Sequence, residues 1–281
     1  MLKNILIGLD GSEYCNEAVR CAIDLSKNFG AKLFGLGIID APAIFDASPG
    51  VAGAIHYKES ANKRQYEGAR DRVRACLSSF QARCDEANVS CEIAHNEGSP
   101  VTEFLKEAAG YDIIIMGQET YFQHDSREGP CSTLVHLLKD TPRPVVVIPK
   151  KIEFKYNLKD PAVIAFDGSI PSAKAMQLFT LLSYDDPSNE IHLVTVSDEE
   201  EEGRTRQEKA LLYLERWYGK KPTSAILHGR RPDAILNYTR KVNARVLAMG
   251  AYGRSGLKSF FFGSTTRTIL KKANTMLFLY H

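Results

Sequence analysis

The chain contains one short pattern twice. Asn4-Ile5-Leu6-Ile7-Gly8-Leu9-Asp10-Gly11-Ser12 is an apolar run that ends in Asp-Gly-Ser, and it returns 157 positions later as Ala162-Val163-Ile164-Ala165-Phe166-Asp167-Gly168-Ser169. Each copy is followed by apolar residues at helical spacing: Ala18, Ala22, Leu25 and Phe29 in the first, Ala175, Leu178, Phe179 and Leu182 in the second. Another strand pattern comes next, Lys32 to Ile39 and Ile191 to Val196. Further on, Asp112 to Gly117 answers Arg245 to Gly250, and Pro144 to Ile148 answers Met276 to Tyr280. These runs are apolar at consecutive positions instead of alternating ones, which is the pattern of strands covered by helices on both faces. The expectation is two tandem α/β units, each with a mainly parallel sheet flanked by helices.

The length of 281 residues accommodates that reading, at about 150 residues per unit. Units of this size bury a core without help from disulfides or metal. The expected divisions are a first unit over 1–150, a charged and core-poor linker over 151–160, and a second unit over 161–281. The stretch from Ala41 to His56 has two prolines, two glycines and no counterpart in the second half, so it reads as an insertion loop. Glu199 to Gly203 reads as a solvated loop or the start of a helix.

Lys and Arg number 36 against 34 Asp and Glu, a balance that gives no footing to a dedicated nucleic-acid or membrane-surface binder. No apolar run reaches the roughly 18 residues of a membrane-spanning helix. The first residues meet an acid before any signal-peptide core develops, so the expected location is cytoplasmic. The six cysteines all fall in the first half and form no CxxC pair. Reduced thiols are expected, and no metal site is assigned: the spacing of Cys84, Cys91 and His95 matches no recognised ligand set.

The segment richest in chemistry runs from Met249 to Thr266. It leaves the carboxyl end of a buried strand, where open α/β sheets bind ligands. Gly263-Ser264-Thr265 stands directly before a helical pattern, Arg267 to Lys271. Two readings are open. The glycines either cap and turn the chain, or they form an anion cradle from backbone donors and a helix N-terminus. Walker and dinucleotide-fold motifs are absent. The histidines are scattered, with no nucleophile motif beside them, so no catalytic residue is assigned.

The spacing Gly250-x2-Gly253-x9-Gly263-Ser264 resembles the nucleotide motif of the universal stress protein family. So do Asp167 at the end of its strand, the helix after Gly168-Ser169, and His228-Gly229 before another helix. The first half has Asp10-Gly11-Ser12 and Glu97-Gly98-Ser99-Pro100-Val101, and the whole chain is similar to a tandem member. The resemblance implies two doubly wound units, each a five-stranded sheet of adenine nucleotide alpha-hydrolase-like fold, and an ATP ligand, with or without Mg2+. It implies Asp167 and the backbone near Val196 at the adenine and Gly229 beside the ribose. For the phosphates it implies Gly250, Gly253, Gly263, Ser264 and Thr265, with Met249 and Thr266 flanking. Arg254 and Lys258 add nearby charge, either on the phosphates or solvated. The expected role is regulation of a stress response, with at most slow ATPase activity or autophosphorylation. The expected partners are the nucleotide and an intramolecular pairing of the two units, compatible with either a monomer or a homodimer; nucleic acid and membrane are not expected. An interaction scaffold with nucleotide secondary is the alternative class.

The first copy departs from the motif. Thr120 stands opposite Gly253, and Cys131-Ser132-Thr133 stands opposite Gly263-Ser264-Thr265, with Pro130 lacking an N–H. ATP is therefore expected mainly in the second unit, the first binding it weakly or serving another purpose. Cys131, with His124 seven residues earlier, reads either as a packing residue or as an oxidant-sensing thiol.

Overall fold

The structure, a computed structural model, describes residues 2–46, 55–119, 122, 132–149, 160–183, 190–251 and 263–281. Contacts divide the chain into two compact units, Lys3–Pro142 and Arg143–His281, the latter joined by Met1–Leu2. The expected linker over 151–160 lies outside the described residues except for its last position.

In the first unit β1 (Asn4–Leu9) runs parallel to β2 (Lys32–Ile39) and β4 (Ile113–Gly117), and β2 runs parallel to β3 (Cys91–Glu97). The order β3-β2-β1-β4 comes from crossovers to either side of β1. Leu6, Ile7, Leu33, Ile114 and Ile115 are fully buried, as consecutive apolar runs demand. Its helices are α1 (Glu13–Phe29), α2 (Ala41–Asp46), α3 (Ile55–Glu86), α4 (Pro100–Ala108) and α5 (Ser132–Asp140), the last of which ends the unit.

The stretch expected as an insertion loop is helical at both its described ends, and 47–54 lie outside the described residues. Asp40 Oδ1 accepts the Ala43 N–H at 3.1 Å and so caps α2, and Pro42 sits in the first turn, where its missing N–H costs nothing. The helix α3 then begins at Ile55, inside the expected loop.

The second unit holds β5 (Val145–Ile148), β6 (Ala162–Ala165), β7 (Ile191–Val196), β8 (Thr223–Leu227), β9 (Val246–Gly250) and β10 (Met276–Tyr280), in the order β5-β10-β9-β6-β7-β8. The neighbouring strands are parallel except β5 and β10, where Val147 faces Leu277 in an antiparallel ladder. That ladder is why Arg143 to Pro149 group with the second unit although the repeat in sequence extends to 150. Its helices are α6 (Ile170–Ser183), α7 (Glu200–Tyr218), α8 (Arg231–Lys241) and α9 (Ser264–Lys272). The acidic run proves to be the first turn of α7, where Glu200, Glu201 and Glu202 face the positive end of the helix dipole.

The Asp-Gly-Ser turns are built alike. Asp10 Oδ1 accepts the Ser12 N–H at 3.0 Å, and Asp167 Oδ1 accepts the Ser169 N–H at 2.9 Å. Gly11 and Gly168 between them have φ of 75° and 78°, the left-handed region that a Cβ disfavours. The serine hydroxyls then cap the helices that come after, accepting the N–H of Cys15 at 3.2 Å and of Ser172 at 3.3 Å.

Helix α3 lies close on β2 because two same-face positions carry no side chain. A Cβ on Gly35 would stand 2.7 Å from Leu9 Cδ1 and 2.8 Å from the ring of buried Phe80, and one on Gly37 would stand 2.6 Å from Val73. Overpacking of this kind costs about 1–3 kcal/mol. Gly35→Ala is expected to lower stability by that amount in urea unfolding monitored by circular dichroism, whereas Gly110→Ala, whose nearest neighbour is at 3.6 Å, changes it by less than about 1 kcal/mol.

Candidate functional site

The carboxyl ends of β6, β7 and β9 surround a cavity of about 400 Å³ in the second unit. Ala165, Phe166 and Asp167 from the exit of β6 form one wall, Val194 and Val196 of β7 the next, and Met249 and Gly250 of β9 the third. The first turn of α9 closes it with Gly263, Ser264, Thr265 and Thr266. Of the residues singled out in sequence, Asp167, Val196, Met249, Gly250, Gly263, Ser264, Thr265 and Thr266 thus meet around one space. Gly229 does not: it stands exposed at φ 95° between β8 and α8, and the lining passes to Arg231 two residues on. Gly253, Arg254 and Lys258 lie outside the described residues.

The opening turn of α9 is a row of donors. Gly263 occupies the N-cap position, and among the described residues no side chain caps the helix. The first intrahelical bond is Arg267 N–H to Gly263 O at 3.0 Å, so the amides of Ser264, Thr265 and Thr266 precede the ladder. The Thr266 hydroxyl is spent structurally: it is buried and donates to Ala251 O at 2.6 Å, tying α9 to the end of β9.

Glycine at 250 answers a different need from the one expected. The position is not left-handed; a Cβ there would stand 2.7 Å from the Ser172 backbone nitrogen and 2.8 Å from the Pro171 carbonyl carbon. The bare backbone lets the start of α6 abut the end of β9. Among the described residues Gly263 is unconstrained by comparison, a Cβ there meeting nothing nearer than Thr266 Oγ1 at 3.9 Å.

Two cationic side chains in the lining carried no sequence signal. Arg206 comes from α7, where it is ion-paired with Glu202, and Arg231 opens α8. The neighbour of Arg206, Gln207, is 2% exposed, and its Nε2 donates to Leu193 O at 3.2 Å, Thr195 Oγ1 at 3.1 Å and Ala225 O at 3.1 Å. Thr195 in turn donates to Phe166 O at 2.6 Å. One amide thereby fixes α7 across β7 and β8, and the threonine extends the network to the exit of β6. The arginine's place beside the cavity is a result of it. Among the described lining residues the two guanidiniums face one carboxylate, Asp167, already engaged by Ser169. Such a cavity suits an anionic ligand.

In the first unit, aromatic rings stand beside the matching strand positions. Gly8 and Met116 there occupy the positions of Ala165 and Met249, in the same strand register. A Cβ on Gly8 would meet the Phe104 ring at 2.8 Å, the Phe122 ring at 3.4 Å and Met116 at 3.6 Å. Phe122 is 2% exposed and packs edge-on against Phe104, with centroids 5.5 Å apart. Thr120, His124, Pro130 and Cys131, on which the sequence argument for unequal halves rested, lie outside the described residues.

The model of the universal stress protein family matches residues 1–149 and 175–281. The universal stress protein Slr1230 of Synechocystis is 24% identical over 295 residues, spanning 97% of this chain and 98% of the relative. Among solved structures, a universal stress protein from Archaeoglobus fulgidus superposes with a TM-score of 0.68 at 20% identity, covering 99% of this chain and 97% of that one. A functionally unknown protein, PA1789, from Pseudomonas aeruginosa gives 0.65 at 15% identity, covering 99% and 92%. These structures share the fold. Among the described residues, no helix is long and apolar enough to cross a membrane.

Gly250→Ala is expected to destabilise the protein by about 1–3 kcal/mol, because the atoms it strikes are backbone and cannot rotate away. Gly263→Ala should leave the unfolding free energy in urea within about 0.5 kcal/mol of the parent value, which makes position 263 the cleaner probe of ligand binding.

Proposed function

Because the chain belongs to the universal stress protein family, we propose that it is an ATP-binding regulatory protein of the stress response whose second unit holds the nucleotide. The observation that carries the reading is the uncapped first turn of α9 opening on a cavity with two arginines in its wall. A polyphosphate needs several donors converging on it, and first-turn amides with serine and threonine hydroxyls are such donors. In this reading Ser264, Thr265 and Gly263 hold the phosphates together with Gly253 and Arg254, and Gly250 shapes the site by admitting α6. Asp167 and the Val196 backbone face the base between the apolar walls of Phe166 and Val194. Arg231, in place of Gly229, reaches the ribose side. Mg2+ accompanies the triphosphate from solvent.

The role is binding, with chemistry slow or absent. Asp167 is the one carboxylate among the described lining residues, and its oxygen already anchors the turn to Ser169. Phosphoryl transfer to water requires a group that orients the nucleophile, and the described wall offers none beyond it. Occupancy of the cavity then acts by setting the positions of α7 and α9, both of which line it.

Isothermal titration of nucleotide-free protein with ATP, with and without Mg2+, tests the reading. The expected result is one site per chain. Arg231→Ala should weaken binding about threefold to tenfold through loss of a charge-assisted contact, and Gly263→Val more strongly while the melting temperature holds. Phe122→Ala, in the first unit, should leave the stoichiometry at one. No binding, or two equal sites, would defeat the assignment, and phosphate release faster than about one per minute would defeat the non-catalytic role.

A further inference from the structure

Outside the cavity, the first unit brings two cysteines together. Cys15 lies in the first turn of α1 and Cys76 midway along α3, 61 residues apart in sequence, and their sulfurs are 3.9 Å from each other. Cys15 is 3% exposed, whereas Cys76 is only half-buried. We propose that Cys15 and Cys76 are a hydroperoxide-responsive thiol pair that closes to a disulfide joining α1 to α3.

The geometry assigns the two roles. Cys76 is the residue that solvent reaches, so it meets the oxidant, and Cys15 is the sheltered resolving thiol beside it. The Cys15 thiol donates to the Cys76 sulfur, which holds the Cys76 thiol below its ordinary range; the Gly11 N–H works the same way, against partial burial and the nearby Asp10 carboxylate. Cys15 is pushed up by the same contact and by burial. Burial drives Cys21 and Cys84 up to about 12, so neither competes as a thiolate.

In the first step the Cys76 thiolate attacks the hydroperoxide. A sulfur–oxygen bond forms, the oxygen–oxygen bond breaks, the departing alkoxide or hydroxide takes a proton, and sulfur is oxidised to sulfenic acid while the peroxide is reduced. In the second step the Cys15 sulfur attacks that sulfur. A sulfur–sulfur bond forms, the sulfur–oxygen bond breaks, and hydroxide leaves with the Cys15 proton as water. The sulfurs close from 3.9 Å to about 2 Å, within reach of side-chain rotation. The bond pins α3 beside the Asp10-Gly11-Ser12 turn, and it acts in the first unit whether or not the second binds nucleotide.

Trypsin separates the candidates, because Cys15 falls in the peptide 4–20, Cys76 in 75–83, Cys21 in 21–27 and Cys131 in 128–139. The reduced full-length protein is treated with about one equivalent of hydrogen peroxide, alkylated and mapped by mass spectrometry. The expected product is peptide 4–20 linked to 75–83, with free thiols falling from six to four. Cys15→Ser should stop at a Cys76 sulfenic acid that dimedone traps, and Cys76→Ser should leave Cys15 reduced, both variants melting as the parent does. The proposal is overturned if no linked peptide forms, if Cys131 oxidises first, or if Cys15 reacts in the Cys76→Ser protein as fast as in the parent.

Discussion

A strand without a polar face has to be covered on both sides. In this chain that single demand sets most of the architecture. Ile114 and Ile115, or Val163 and Ile164, are consecutive and all fully buried, so neither face of their sheets can meet water. Parallel strands joined by covering helices return by right-handed crossovers, which sends every strand-to-helix turn out at the same edge. Asp167, Val196, Gly250 and the first turn of α9 are far apart in sequence, yet they converge because each sits at such an exit. The cavity is thus a consequence of the core, and the chemistry of its wall is what the two copies were free to vary.

The described neighbours of that wall differ between the two copies. In the second unit Ala165 and Met249 border open space, whereas in the first Gly8 and Met116, at the same register, border the rings of Phe104 and Phe122. Burying an aromatic ring stabilises by about 1.5–3 kcal/mol, which the first unit gains at Phe122.

The strands at the centre of each sheet were legible because two-sided burial leaves an unbroken apolar run. The edge strands were not. Cys91–Glu97 is exposed over most of its length, so its residues carry no such run. Helix α2 was hidden by Pro42, which reads as a loop former until Asp40 is seen to cap the turn before it. In the site, the residues contributed by strand exits and by the start of α9 were legible from motif spacing. Arg206 was not, since its position depends on Gln207 reaching three acceptors on β7 and β8, and a contact of that kind has no period in sequence. Gly250 was legible as a requirement for glycine, though the reason is the approach of Pro171 and Ser172 and not a turn.

The same turn serves both units and explains why the thiol pair belongs to one. Counting from the capping serine, Cys15 occupies in α1 the place that Ser172 occupies in α6, and each backbone N–H bonds to its serine hydroxyl at nearly the same length. In the second unit that third position carries a hydroxyl, which donates to Ser169 O at 2.9 Å and borders the cavity. In the first it carries a thiol, a poorer hydrogen-bond donor that gains little from a backbone carbonyl but pairs readily with another sulfur. The long helix α3 supplies that sulfur at Cys76, and the close seat of α3 on Gly35 and Gly37 brings the helix within reach. One atom's difference in a shared turn geometry therefore separates the wall of a cavity from a contact between two thiols.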